Sequence, residues 1–354
     1  MYLHGCNYPW STDGSIVFYG LDFGANVWGS HLGVSTRRVA VATDFATMAA
    51  LGFTVARWFL FGDGRAGIVY DDHAQPASID AQLFTDMDAA LEIARDYDIR
   101  VDFVMLDHRW MFEGVRETIA DPVSGQLLEG RLPDGRSAVL LSDAGQDALF
   151  KNVIVPIVRR YGPSGERADL SSQVLAWEFM NEPDWAVEEW EADLSSHVAR
   201  PLPFATLASL IERMSDVVHR HSTAMATLGG GRVRNLWAWD DDALGLDLLQ
   251  VHVYTDARHP EWDEALIGRR WDELGLRRAV VIGEHPCNPL SHPPGRKPIA
   301  LSMDEYAEFA VSHGYAGAWP WSFSGTDPYG RLPVEPLRRF GCRHPDLVNP
   351  RFQP

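Results

Sequence analysis

A closed parallel (β/α)8 barrel is the fold this sequence predicts, and three observations predict it. Short apolar runs of β type alternate with longer helical patterns from end to end. The β-type runs are nearly continuously apolar, as in Val101-Asp102-Phe103-Val104-Met105-Leu106, which suits a sheet covered on both faces. The segments after the strands are long and those after the helices short, the asymmetry of a barrel whose substrate face is built from strand-following loops. The 354 residues are long for a single ordinary domain but normal for this one, and they form one domain, 1–354.

Taken in order, the predicted strands are Leu3–Tyr8, Thr54–Leu60, Arg100–Leu106, Val174–Met180, Ala224–Leu228, Leu248–Tyr254, Ala279–Ile282 and Tyr315–Trp319. Helices are expected near Thr36–Ala50, Ile79–Tyr97, Ala144–Tyr161, Phe204–His221, Trp262–Leu274 and Met303–His313. Those after the fifth and eighth strands are the least defined. The long loops Pro9–Ser35, Phe61–Ser78 and Asp107–Asp143 fall on the expected substrate face. Pro333 to Pro354 reads as a proline-punctuated tail wrapping the barrel.

Composition narrows the function. With 31 basic against 49 acidic side chains the formal charge is −18, which disfavours nucleic acid and anionic membranes as partners. Thirteen Trp, 16 Phe and 10 Tyr exclude a disordered chain. No apolar run is long enough to span a bilayer. Cys6, Cys287 and Cys342 show no metal-ligand spacing, so reduced thiols in a cytoplasmic protein are expected. No signal peptide is visible; a secreted protein whose leader is absent from this sequence remains the alternative.

The chemistry gathers at two strand ends. Trp177-Glu178-Phe179-Met180-Asn181-Glu182-Pro183 is an apolar strand ending in an amide, a carboxylate and a proline. Val280-Val281-Ile282-Gly283-Glu284-His285 is another ending in a carboxylate, three β/α units later. A barrel brings both carboxylates to one rim, where a nucleophile and an acid/base about 5–5.5 Å apart cleave a glycosidic bond with retention.

On these residues the chain resembles glycoside hydrolase family 5, within the clan of retaining (β/α)8 glycosidases that includes cellulases and mannanases. The resemblance covers nearly the whole chain. It implies Glu182 as acid/base and Glu284 as nucleophile, with Arg57, His108, Asn181, His252, Tyr254 and Trp321 (or Trp319) supporting substrate and carboxylates. It implies no metal and no other cofactor. Arg57 would hold Glu284 ionised, Asn181 would meet the sugar 2-hydroxyl, Tyr254 would donate to Glu284, and Trp321 would offer a flat face to the pyranose ring. The expected substrate is a β-1,4-linked gluco- or manno-configured saccharide, as short soluble chains, with endo-acting cleavage of cellulose or mannan as the alternative. A catalytically silent carbohydrate-binding barrel and a barrel doing metal or phosphate chemistry are the readings from other classes. Oligomeric state is left open.

Other features read as structural. Glu178 lies deeper in the barrel than Glu182 and suits a hydrogen-bonding role, and His285 suits a structural contact or the site lining equally. Asp240-Asp241-Asp242 suits a solvated loop. Gly229-Gly230-Gly231 suits a turn after the fifth strand, because it lacks the Lys-Ser/Thr of a phosphate loop. Trp10, Trp28, Trp58, Trp110, Trp185, Trp190 and Trp239 are candidates for additional sugar platforms, and Trp28, Trp110 and Trp185 are favoured because they sit in the long loops.

Overall fold

The computed structural model describes residues 2–11, 20–120, 126–254, 269–287, 303–323, 325 and 329–354. Eight parallel strands form one sheet in sequence order: β1 Gly5–Asn7, β2 Val55–Phe59, β3 Arg100–Asp107, β4 Val174–Asn181, β5 Met225–Gly230, β6 Leu249–His252, β7 Val280–Pro286 and β8 Gly317–Trp321. The sheet closes on itself. Leu3 N donates to Ala316 O at 2.7 Å, and Phe323 N donates to Asn7 O at 2.9 Å. The (β/α)8 barrel read from the sequence is the fold.

Register sets the height of each strand-end residue. Asn7 pairs with Arg57, Asp107 with Asn181, Asn181 with Gly229 and His252 with Glu284, so polar strand ends from around the barrel reach one level. The β6–β7 and β7–β8 ladders both shift register beside Glu284, a bulge of the kind that re-aims a side chain at a barrel rim.

The opposite end of the barrel is closed by a small apolar cluster centred on one large side chain. Trp319 is fully buried with Leu3, Val55, Leu175, Leu248 and Val281, and its indole N–H donates to Leu3 O at 3.0 Å. Gly5 and Gly317 make this possible, since a Cβ on them would lie 2.6 and 3.1 Å from Trp319 Nε1.

Helices cover the outside by the usual apolar spacing. Phe204–His221 buries Leu207, Leu210, Ile211, Met214, Val217 and Val218, a stripe at three- and four-residue steps. The helix expected over Ala144–Tyr161 is α-helical over Asp143–Leu149, π-helical over Phe150–Ile154 and α-helical again over Val155–Arg160. Pro156 explains the interruption, because it has no N–H for the regular ladder and a wider turn absorbs the missing bond. Among the described residues no helix is long and apolar enough to cross a membrane.

Several expectations need correction. The tail contains a helix, Val334–Arg343, whose buried face is Leu337, Phe340 and Gly341; its prolines fall at the start or just outside. The residues after it clamp the barrel's far end, with Asn349 Nδ2 placed 2.9, 3.0 and 3.2 Å from the carbonyls of Phe53, Tyr97 and Asp98. Two of the long loops hold antiparallel hairpins, Ile68–Tyr70 with Pro76–Ile79 and Arg116–Ala120 with Leu127–Arg131. The helix expected over Trp262–Leu274 lies largely outside the described residues, and its end is a single 3-10 turn, Trp271–Glu273. Asp240 is buried, accepting from Arg277 N at 2.8 Å and Arg278 Nη1 at 3.0 Å, so this member of the acidic triplet is an ion-paired joint while Asp241 and Asp242 stay exposed. Gly229 and Gly230 belong to β5 itself.

Candidate active site

Arg57, at the centre of β2, organises the site. Its Nε and Nη2 reach Glu178 at 2.7 and 2.6 Å. Nη1 donates to Asn7 Oδ1 at 2.9 Å and to Glu284 Oε1 at 2.7 Å, and Nη2 also donates to Asn181 Oδ1 at 2.6 Å. Arg57 and Glu178 are fully buried. Burial opposes the guanidinium charge, but Glu178 and Glu284 outweigh it and its pKa is raised. Gly229 belongs to this arrangement, since a Cβ there would sit 2.4 Å from Glu178 Oε1 and 2.9 Å from Arg57 Nη2. Beneath, Gln250 Nε2 donates to Glu178 and to Asp102 at 2.9 Å each. Burial, then the neighbouring Glu178 charge, pushes Asp102 well above the usual carboxylate range.

Above Arg57 stand the two strand-end glutamates. Glu284 accepts from Tyr254 Oη at 2.8 Å as well as from Arg57. Glu182 Oε1 lies 2.9 Å from His252 Nδ1, and Oε2 accepts from Trp185 Nε1 at 2.9 Å. The same His252 nitrogen is 3.5 Å from Glu284 Oε1. One atom each from Glu182, His252 and Glu284 thus lie within 4.8 Å of one another. Among the described residues this is the one cluster tight enough to hold a metal ion, and its carboxylates are already engaged by Arg57, Tyr254 and Trp185.

Electrostatics separate the two carboxyls. Burial works to raise Glu182, but the His252 hydrogen bond and charge prevail and hold it down at about 2. Burial would lower His252, yet Glu284 and Glu182 raise it above its ordinary 6.5. Glu284 is raised above 4.5, first by burial and further by the Glu182 charge, against His252 and Arg57. The hydrogen-bonded pair Glu182–His252 therefore carries a proton on the imidazole side, and the three groups titrate together.

A cleft of about 360 Å³ opens over this cluster, lined by Asn181, Glu182, Tyr254, Glu284, Trp321 and His108, together with Trp10, Phe59, Asp107, Arg109, Trp185, Arg232 and Tyr329. Asn181 is fixed from two sides, by Arg57 on its oxygen and by its own Nδ2 donating to Asp107 Oδ2 at 2.7 Å. Trp321 meets Trp10 and Phe59 edge-on, with ring centres 6.0 and 6.3 Å apart. His108 stands 3.3 Å from Asp107 Oδ1.

All eight residues singled out in the sequence converge here. Of the three favoured tryptophans Trp185 alone lines the cleft, and Trp10, among the other candidates, lines it too. Trp110 is buried with its N–H on Arg136 O at 3.0 Å, and Trp28 is buried under Arg65, its ring against Gly130 of the hairpin. Trp319, the alternative to Trp321, is the plug at the far end. His285 stacks on Tyr306 with ring centres 4.2 Å apart. Sequence reasoning missed Asn7, Asp107 and Tyr329, and it named Trp10 as a candidate platform without favouring it, although Trp10 lines the cleft. Asn7 and Asp107 carried the same signal as Glu182, a polar residue closing an apolar strand. Trp10 and Tyr329 sit in loops whose paths nothing local specifies.

Fold and site together define a (β/α)8 barrel with a paired-carboxylate centre of the glycosidase type. No family profile matches the chain. Mannan endo-1,4-beta-mannosidase 1 of Oryza sativa subsp. japonica is 23% identical over 267 residues, covering 71% of this chain and 59% of the rice protein. Mannan endo-1,4-beta-mannosidase of Mytilus edulis is 21% identical over 352 residues, covering 91% of this chain and 83% of the mussel protein. The solved β-mannanase from blue mussel Mytilus edulis superposes with a TM-score of 0.71 at 18% identity, over 100% of this chain and 94% of that one. These likenesses bear out the resemblance to glycoside hydrolase family 5.

Proposed function

We propose that the chain is a retaining β-glycoside hydrolase acting on β-1,4-linked mannan or manno-oligosaccharides. The observation that carries the reaction type is the approach of Glu182 and Glu284 to the same His252 nitrogen, at 2.9 and 3.5 Å. That closeness suits direct attack at the anomeric carbon; inversion needs carboxyls roughly 6.5–9.5 Å apart to admit a water. The manno configuration is supported by the relatives, both named mannan endo-1,4-beta-mannosidases.

In this reading Glu284 attacks the anomeric carbon while the glycosidic bond breaks. The proton held by the pair passes from His252 Nδ1 to Glu182 Oε1 and on to the leaving oxygen as the bond breaks. Arg57 and Tyr254 hold Glu284 ionised and aimed. Water then enters, Glu182 removes its proton, and the sugar leaves Glu284 with its original configuration. Asn181, locked by Arg57 and Asp107, keeps one N–H for the sugar 2-hydroxyl. A silent carbohydrate-binding barrel has no need of this proton-transfer cluster.

The test is incubation with mannan, manno-oligosaccharides and cello-oligosaccharides, with the first-formed anomer read by NMR. A β-anomer appearing first, faster from manno than from gluco substrates, supports the reading. An α-anomer appearing first, or no product from any of them, defeats it. Product lengths decide between trimming of short chains and internal cleavage of polymer.

A further inference from the structure

Trp185 touches the acid/base and the cleft at once. It sits on the 3-10 turn Pro183–Ala186 that starts at Glu182, and its indole N–H meets Glu182 Oε2 at 2.9 Å. The guanidinium of Arg232 covers its ring at 4.3 Å, and Arg232 is itself buried and held by Asp193, with Nε 3.3 Å from Oδ1. Both Trp185 and Arg232 line the cleft. The ring is thus rigidly backed, half-exposed, and beside the carboxyl that must protonate the leaving oxygen. Trp321, Trp10 and Phe59 pack against one another as a separate aromatic part of the same cleft lining.

An indole N–H only donates. While it points at Oε2, that oxygen remains an acceptor, and the proton shared with His252 Nδ1 can reach the carboxyl only at Oε1.

Resting on the glycosidase reading above, we propose that Trp185 is the platform for the leaving-group sugar and the positioning residue of Glu182. The ring takes the C–H face of the departing pyranose, while its N–H assigns the acidic proton to Oε1. Occupation of the leaving-group subsite and alignment of the acid then depend on the same side chain, and saccharide substrates are favoured over glycosides whose leaving group is not a sugar.

Two variants separate these roles. Trp185→Phe keeps a ring and loses the donor; Trp185→Gln keeps a donor and loses the ring. Wild type and variants are compared on manno-oligosaccharides and on an aryl β-mannoside with a good leaving group, across pH. For Trp185→Phe the expectation is an oligosaccharide KM within about twofold of wild type. Its basic limb of kcat/KM moves up by about one pH unit, because the carboxylate has lost a donor to its charged form. For Trp185→Gln the expectation is a wild-type limb with KM for oligosaccharides raised about tenfold, the loss of one stacked sugar face. Neither variant changes KM for the aryl substrate more than about twofold. A Trp185→Phe profile that superimposes on wild type, or a Trp185→Gln with wild-type oligosaccharide KM, overturns the proposal. If one variant does not fold, the other decides on its own readout. Wild-type protein releasing nothing from any β-linked saccharide would instead remove the underlying reading, so the two failures are distinguishable.

Discussion

Glu178 occupies both Nε and Nη2 of Arg57, leaving Nη1 as the nitrogen that reaches Glu284. The guanidinium cannot swing, because its fork is engaged from below. The position of Glu284 is therefore set by a carboxylate one layer deeper that never meets substrate. Replacing Arg57 by Met should strand Glu178 beside Asp102 in the barrel interior. The expected loss of stability is about 3–5 kcal/mol, as for one partner removed from a buried ion pair. Denaturant unfolding measures it, and a loss below about 1 kcal/mol would show that water or rearrangement compensates.

Glu284→Ala should lower turnover by at least about 10⁴-fold, since the nucleophile has no substitute in the cleft. Azide should restore part of the activity and yield the α-configured glycosyl azide, because a small anion can enter from the vacated face. Azide rescue giving a β-product would place the nucleophile elsewhere.

Glu182→Ala should behave differently. Aryl substrates with good leaving groups need no acid for the first step, so the glycosyl-enzyme should form in a burst and then accumulate for want of a base. Rapid-quench kinetics on such a substrate show this directly. Equal slowing of both steps would mean that the glutamates have exchanged roles.

The pH profile should be bell-shaped with both limbs displaced. Glu284 must be ionised to attack and its pKa is raised above 4.5, so kcat/KM should fall with decreasing pH through a value above 4.5. The Glu182–His252 pair must hold its proton, and His252 is raised above 6.5, so activity should persist past 6.5 and be lost as pH rises through the shifted value. An acid limb at or below 4.5 on manno-oligosaccharides would contradict the placement of Glu284.

His4 should govern acid stability. It is buried between Phe53 and Phe340, ring centres 4.9 and 4.8 Å away, and burial lowers its pKa to about 3. The unfolded chain binds its proton near 6.5, so the stabilisation is complete above 6.5 and drains away as pH falls towards 3. At pH 4.5 this amounts to at most about 3 kcal/mol. His4→Phe should flatten the decline of Tm between pH 7 and 4.5; an unchanged slope would assign the acid sensitivity to other groups.

Much of this architecture was legible in the sequence because a covered parallel strand carries a signal in every residue. The eight strands and the ends of most helices follow from apolar runs and spacing, and Asn181, Glu182 and Glu284 follow from polar residues closing those runs, whereas Arg57, His108, His252, Tyr254 and Trp321 were implied by the resemblance to the family. Contacts between loops were not legible. Whether a tryptophan faces sugar or core depends on which loop crosses it. Gly130 drew Trp28 inward, whereas Arg232 left Trp185 half-exposed at the cleft. The hairpin at Arg116–Arg131 and the helix at Val334–Arg343 were hidden by mixed polarity and by prolines read as breaks.

The plug formed by Trp319 bears on how such a barrel can change over generations. Gly5, Gly317 and Trp319 fit one another so closely that a methyl group added at Gly5 meets the indole, while a smaller residue at 319 opens a void in the barrel floor. Single substitutions there are each penalised, and acceptable alternatives need simultaneous changes on strands at opposite ends of the chain. Drift is therefore confined to the other rim, where loops of unequal length can be exchanged one at a time. New specificities, natural or selected in the laboratory, should carry this floor with them as an inherited constant.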